Sequence, residues 1–205
     1  MLKVVSLTLG AGVCGWIAYI TFVVQPVVLF SWHPITLALA YLLATPSALI
    51  AMSDRRGETN HGKRIALVQW HVLMQILTVI LMTIGFGAIY VNKEKNNRPH
   101  FTSIHSWIGC TALGFYYMNF FFGMFKTYGG KVNWQWKDTA HRYSGTLAFL
   151  TSGVAVAYGF YSGGWGRANL GQQGQLAASA AIALLHVAVV AKLLVSPNTA
   201  PVKSD

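Results

Sequence analysis

The sequence predicts an all-α integral membrane protein, a bundle of six transmembrane helices. Three observations lead there. Hydrophobic residues make up 54% of the 205 and charged residues only 10%, against roughly 25% charged in a soluble domain. Six stretches stay apolar over the roughly 20 residues needed to cross hydrocarbon. The basic residues gather in short connections between those stretches.

The expected spans are Val4–Phe30, His33–Met52, Ile65–Val91, Thr102–Phe125, Thr139–Tyr161 and Leu176–Val195. They use most of residues 1–205, so the chain reads as a single transmembrane domain with no separate soluble part. The first span follows Lys3, as a signal peptide would. Its apolar run is longer than the roughly 7–15 residues of a signal core, so it reads as a retained helix. Ser31 is placed to cap helix 2, with Pro34 in its first turn, where a missing N–H costs nothing. Pro46 should kink that helix. Thr102 or Ser103 opens helix 4. Gly129-Gly130 and Gly163-Gly164 mark breaks after helices 4 and 5. Ala177, Ala178, Ser179, Ala180 and Ala181 allow helix 6 to pack closely on a neighbour. Cys14 and Cys110 fall inside apolar spans and outside any C-x-x-C pair, so they read as small core residues rather than ligands or a disulfide.

The formal net charge is +10 and the isoelectric point near 9.8. In a soluble chain that would suggest nucleic acid. Here the topology accounts for it. If the N-terminus lies on side B, that side collects Lys3, Arg55, Arg56, Lys63, Arg64, Lys126, Lys131, Lys137, Arg142, Lys192 and Lys203. Side A collects only Lys93, Lys95, Arg98 and Arg167. Side B is therefore expected to be cytosolic, with both termini there. The expected surroundings are a lipid bilayer, with no nucleic acid; a homodimer is a compatible assembly.

The spans contain no Asp or Glu, which lowers the weight of a proton- or cation-coupled transporter. They do contain histidines. His33 and His105 lie within the first turn or so of helices entering from side A. His71 and His141 lie near the starts of helices 3 and 5, which enter from side B. Two imidazoles at one depth on neighbouring helices are what a haem with two axial histidines needs. Helices 2–5 thus form an expected four-helix di-haem core, with the two levels roughly 20–25 Å apart at 1.5 Å per residue. A single such histidine is as readily an interfacial polar residue; the coincidence of four in depth and side favours haem. His61 and His100 are expected in solvated loops. His186, in helix 6, has no matched partner and reads as a packing or hydrogen-bonding residue.

Ser31-Trp32-His33-Pro34, His100-Phe101-Thr102-Ser103-Ile104-His105-Ser106-Trp107-Ile108-Gly109, His71, and His141-Arg142-Tyr143-Ser144-Gly145 resemble, in order and spacing, the compact branch of the cytochrome b561 family. The resemblance covers nearly the whole chain. It implies two non-covalent haem b groups, the cytosolic one on His71 and His141 and the other on His33 and His105. It implies electron transfer from cytosolic ascorbate to monodehydroascorbate or a ferric chelate on the far side. That is an ascorbate-dependent transmembrane reductase with no catalytic side chain of its own, in an endomembrane or the plasma membrane. In the family, basic residues just before the helix-3 histidine hold ascorbate. This chain has Val68 where lysine is usual; the nearest basic groups are Lys63 and Arg64, with Lys137 and Arg142 near helix 5. On the far side, His100 matches a position implied in acceptor binding, and Arg98 is its basic neighbour. Two alternatives stay open: a haem-bearing subunit serving a protein or quinone partner, and a haem-free transporter or scaffold.

Overall fold

A computed structural model describes residues 1–128 and 138–195. Gly129, Gly130, Lys131, Lys137 and Lys203, all named above, lie outside the described residues. The described residues form six long helices and no strand: α1 (Leu2–Val24), α2 (Leu29–Gly57), α3 (His61–Lys95), α4 (Ile104–Tyr128), α5 (Thr139–Ser162) and α6 (Gly164–Val195). All but α5 are long and apolar enough to cross a bilayer by length and composition. The 24 residues of α5 are long enough at 1.5 Å each. Its polar content sets it apart, and part of that content is turned onto α4. The Ser144 hydroxyl donates to Asn119 Oδ1 at 2.8 Å, and Ser152 Oγ lies 3.4 Å from Tyr116 Oη.

Several boundaries differ from expectation, each for a local reason. α1 stops at Val24 instead of Phe30. A residue before proline is driven out of helical geometry, and Gln25, before Pro26, is extended at φ −110° and ψ 152°. Ser31 does not cap the α-helical part of α2. It closes a 3-10 turn, Leu29–Ser31, and its hydroxyl accepts from the Val28 N–H at 3.1 Å. α3 starts at His61, which is helical instead of in a loop, because Asn60 caps it: Asn60 Oδ1 accepts from the Lys63 N–H at 3.0 Å. Its far end closes in a Schellman turn. Asn97 is left-handed at φ 50°, and the Arg98 and Asn97 amides reach back to the Lys93 and Glu94 carbonyls. α4 opens as expected at Ser103, which exchanges backbone–hydroxyl bonds with Ser106 in both directions at 3.2 Å. α5 opens on Asp138, whose carboxylate accepts from the His141 N–H at 2.9 Å and pairs with Lys126 of α4. α6 begins at Gly164, well before Leu176, with a kink at Gly171, φ 62°. Buried Gln175 donates to the Phe160 and Tyr161 carbonyls, so it caps the end of α5.

The chain divides into two compact units, one comprising Met1–Ile89 with α6 from Ala180 onward, the other Tyr90–Ser179. In the first, Pro46 removes a backbone donor and its ring crowds the carbonyl of Leu42, four residues back. The helix answers with a π-helical turn, Leu39–Ala44, and resumes at Thr45. α1 then approaches that turn so closely that a Cβ on Gly10 would fall on the Leu42 carbonyl oxygen. Gly10→Ala is expected to cost about 1–3 kcal/mol through overpacking; thermal unfolding in detergent checks it. At the other end of this unit, Asp54 receives Lys192 at 2.7 Å and Lys3 at 3.3 Å, and Arg56 Nη1 donates to the Leu193 carbonyl at 2.6 Å. Cys14 is buried in α1 and, like Cys110, is a free thiol.

Candidate functional site

The first unit holds two of the four singled-out histidines on the antiparallel pair α2 and α3. His33, in the first turn of α2, places Nδ1 3.0 Å from the Gly85 carbonyl of α3. His71 of α3 places Nδ1 3.1 Å from the Ala48 carbonyl of α2. Beside it, Trp70 Nε1 donates to Ser47 Oγ at 2.9 Å. A carbonyl can only accept, so Nδ1 of both rings carries the proton and Nε2 keeps its lone pair in the neutral ring. This is how a protein sets an imidazole to ligate metal: one nitrogen fixes tautomer and orientation, the other is presented. Gly85 lies fourteen residues after His71. The two levels are therefore about 21 Å apart along α3 at 1.5 Å per residue. Between them α2 and α3 are joined by a Thr45–Thr78 hydroxyl pair at 3.2 Å and by Tyr41 Oη on Met82 Sδ at 3.8 Å.

The second unit repeats the arrangement on α4 and α5. His105, in the first turn of α4, places Nδ1 3.0 Å from the Ala155 carbonyl of α5. Ala155 lies fourteen residues after His141, again about 21 Å along the helix. The His105 ring rests against Gly159, where a Cβ would come within 2.7 Å of Cε1 and 3.0 Å of Nδ1. The His141 ring rests against Gly123 of α4, with the corresponding distance to Cε1 at 3.2 Å. Each imidazole thus lies in a gap left by a missing side chain on the facing helix. Neither glycine stands out in the sequence; facing glycines at matched depth are the signal that finds them. Asn119, a polar residue within α4, was likewise not singled out.

Of the basic residues expected near the donor, one is turned inward. Arg64 is buried, 6% exposed, and its Nη1 donates to the Glu58 carbonyl at 2.8 Å and the Arg55 carbonyl at 3.3 Å. It satisfies orphan carbonyls where α2 ends. Lys63 and Arg142 are exposed, in the first turns of α3 and α5. Lys137 lies outside the described residues. Hydrogen bonds to charged groups contribute about 1.5–3 kcal/mol each. Arg64→Ala is therefore expected to lower stability by roughly that amount and to leave the Michaelis constant for an anionic donor within about twofold; denaturant titration and donor kinetics on one preparation check both.

At the opposite end of the second unit, His100 lies in the connection between α3 and α4, as expected, and is partly exposed. Its ring stacks on Tyr90 with centroids 4.2 Å apart, and its Nε2 lies 2.6 Å from Glu94 Oε1. Arg98 beside it is exposed. His186, in α6, is buried, with Nδ1 2.8 Å from the Ile182 carbonyl one turn back.

A family model described as eukaryotic cytochrome b561 matches residues 32–166, which takes in all four histidines and the helices that carry them. The chain belongs to the cytochrome b561 family. As a cytochrome b561 it is a multi-pass membrane protein of a haem b-binding, transmembrane reductase family. It is 31% identical over 100 residues to the probable transmembrane reductase CYB561D1 of Homo sapiens, covering 48% of this chain and 44% of that protein. To the transmembrane reductase CYB561D2 of Mus musculus it is 25% identical over 138 residues, 65% of this chain and 62% of that one. To the lysosomal membrane ascorbate-dependent ferrireductase CYB561A3 of Bos taurus it is 25% identical over 95 residues, 46% and 35%. The matched part of this cytochrome b561 thus spans less than two thirds of each relative's length.

Proposed function

We propose that the protein passes single electrons across a membrane, from ascorbate on the cytosolic face to monodehydroascorbate or a ferric chelate on the other. His71 with His141 would hold the cytosolic haem b, and His33 with His105 the second. The observation that carries this reading is the state of the imidazoles. Three of the four hand Nδ1–H to a backbone carbonyl on the neighbouring antiparallel helix, at two levels about 21 Å apart along the helix. A bis-histidine site asks for that donor chemistry. Haem, when bound, supplies reversible one-electron chemistry; the protein tunes it through ligands, burial and nearby hydrogen bonds.

The polypeptide has three tasks. The carbonyls of Gly85, Ala48 and Ala155 keep the rings from swinging, and Gly159 and Gly123 leave room for them. The apolar side chains that make up most of α2–α5 disfavour water along the stretch between the levels. Positive charge on the cytosolic side, with Lys63 and Arg142 exposed and Lys137 close in sequence, attracts an anionic donor. With valine at position 68, recognition of ascorbate falls to these residues. The orientation, with both termini cytosolic, follows from the eleven-to-four distribution of basic residues. The test is reconstitution into liposomes with ascorbate outside and a ferric chelate, or monodehydroascorbate, trapped inside. Reduction of the trapped acceptor that requires the protein supports the proposal; haem reduced by dithionite but never by ascorbate removes ascorbate as donor.

A further inference from the structure

The two helices of the second unit carry the same spacing of residues. Fourteen and eighteen positions after His105 stand Asn119 and Gly123; fourteen and eighteen after His141 stand Ala155 and Gly159. Each of these glycines lies against the imidazole of the opposite helix. Four positions after each histidine is another glycine, Gly109 in α4 and Gly145 in α5. The antiparallel pair is therefore built on one pattern used twice, and Asn119 and Ala155 are counterparts in it.

At one place the halves differ. At the His105 level the counterpart residue is alanine, and a Cβ on Gly109 would meet no described atom within 4 Å. At the His141 level Asn119 reaches across to α5. A Cβ on Gly145 would fall 2.8 Å from its Nδ2, and its Oδ1 accepts from the Ser144 hydroxyl at 2.8 Å. The same hydroxyl lies 2.8 Å from the Ala140 carbonyl and 3.3 Å from the His141 carbonyl. The counterpart of Ser144, three positions after the histidine, is Ile108, which has no hydroxyl to offer. Asn and Ser side chains are among those that join membrane helices by hydrogen bonds, and here the bond ends on the turn that carries a candidate haem ligand.

We infer that Asn119 is a positioning residue for His141. Through Ser144 it holds the first turns of α5 against α4, and with them the angle at which the His141 ring is presented. The His105 level has no such link on the matching positions, so the pair gives one level a restraint that the other lacks. Partners that orient a metal ligand tune both its affinity and the electronic state of the metal. The inference rests on the haem reading under Proposed function.

The test uses the full-length protein in detergent and two variants. Asn119→Ala is informative because alanine is the residue the fold itself uses at the counterpart position, Ala155. Ser144→Ala removes the other half of the same bond and carries the test should Asn119→Ala fail to fold. Two properties are read, neither of them turnover: the electron paramagnetic resonance of the oxidised holoprotein, and the affinity of haem-depleted protein for hemin. The g-values of a low-spin ferric haem follow the angle between its two axial imidazole planes. The signal belonging to the His141 level is the one missing from His141→Ala. In each variant that signal should shift, and hemin affinity at that level should fall by about tenfold, the low end for loss of a partner that orients a ligand. The other signal should stay in place, with its affinity changed by less than about twofold. The double variant should lose no more than either single one, because both substitutions remove one bond. Unmoved signals in both variants, equal shifts at both levels, or additive losses in the double variant overturn the role of Asn119 while leaving two haems standing. Lowered thermal stability with both signals unmoved also overturns it, since that marks helix packing alone. Wild-type protein without haem removes the underlying reading itself, a result separable from the others before any variant is made.

Discussion

His105→Ala is expected to purify with one haem per chain where the wild type carries two. The ring is the only part of His105 that can reach a metal, and alanine leaves nothing to replace it. The loss should be confined to one level, because the hydrogen bond from His105 ends on Ala155, about 21 Å along α5 from His141. His33→Ala should remove the same haem, and His71→Ala or His141→Ala the other. Haem content and the amplitude of the reduced α-band, measured on each variant, check the assignment residue by residue. Retention of both haems in any of these variants removes that residue from the ligand set.

Gly159→Ala is expected to have nearly as large an effect, although glycine ligates nothing. Its Cβ would lie 3.0 Å from Nδ1 and 2.7 Å from Cε1 of His105, the latter closer than real Cβ contacts occur. The ring cannot retreat and keep its bond to the Ala155 carbonyl, 3.0 Å away on the same helix. Disturbing a partner that orients a metal ligand typically costs about 10–100-fold in affinity, and haem affinity at this level should fall by that order. Gly123→Ala supplies the graded comparison. There the Cβ would meet His141 Cε1 at 3.2 Å, a distance the ring can relieve by moving a few tenths of an ångström. Its effect should be smaller and fall on the other haem. Titration of haem-depleted protein with hemin separates the two cases.

The helices were legible in the sequence because membrane spans are written in hydropathy, a signal that needs no tertiary context. The four histidines were legible because polar residues in such spans are rare and their depth follows from topology. What was not legible depends on a second helix. Nothing in the sequence near Arg64 distinguishes an anion-binding guanidinium from one turned back onto the Arg55 and Glu58 carbonyls. Gly159 and Gly123 are two glycines among 20, and only the facing imidazoles give them a role. Hydropathy alone carries α1 on to Phe30, whereas the restriction Pro26 places on Gln25 ends it at Val24. α5 falls short as an apolar span because of its polar residues, and two of them, Ser144 and Ser152, pair with Asn119 and Tyr116 of α4. Composition cannot reveal that pairing.

The central claim is that four imidazoles hold two haems, two rings to each iron. Its most direct test is the haem-to-protein ratio of the purified wild type by pyridine haemochrome, with electron paramagnetic resonance of the oxidised protein. The account predicts two b-type haems per chain, both low-spin with the signature of two axial imidazoles. No haem after expression with adequate haem supply, or a single haem, or a high-spin signal from either iron, would contradict it.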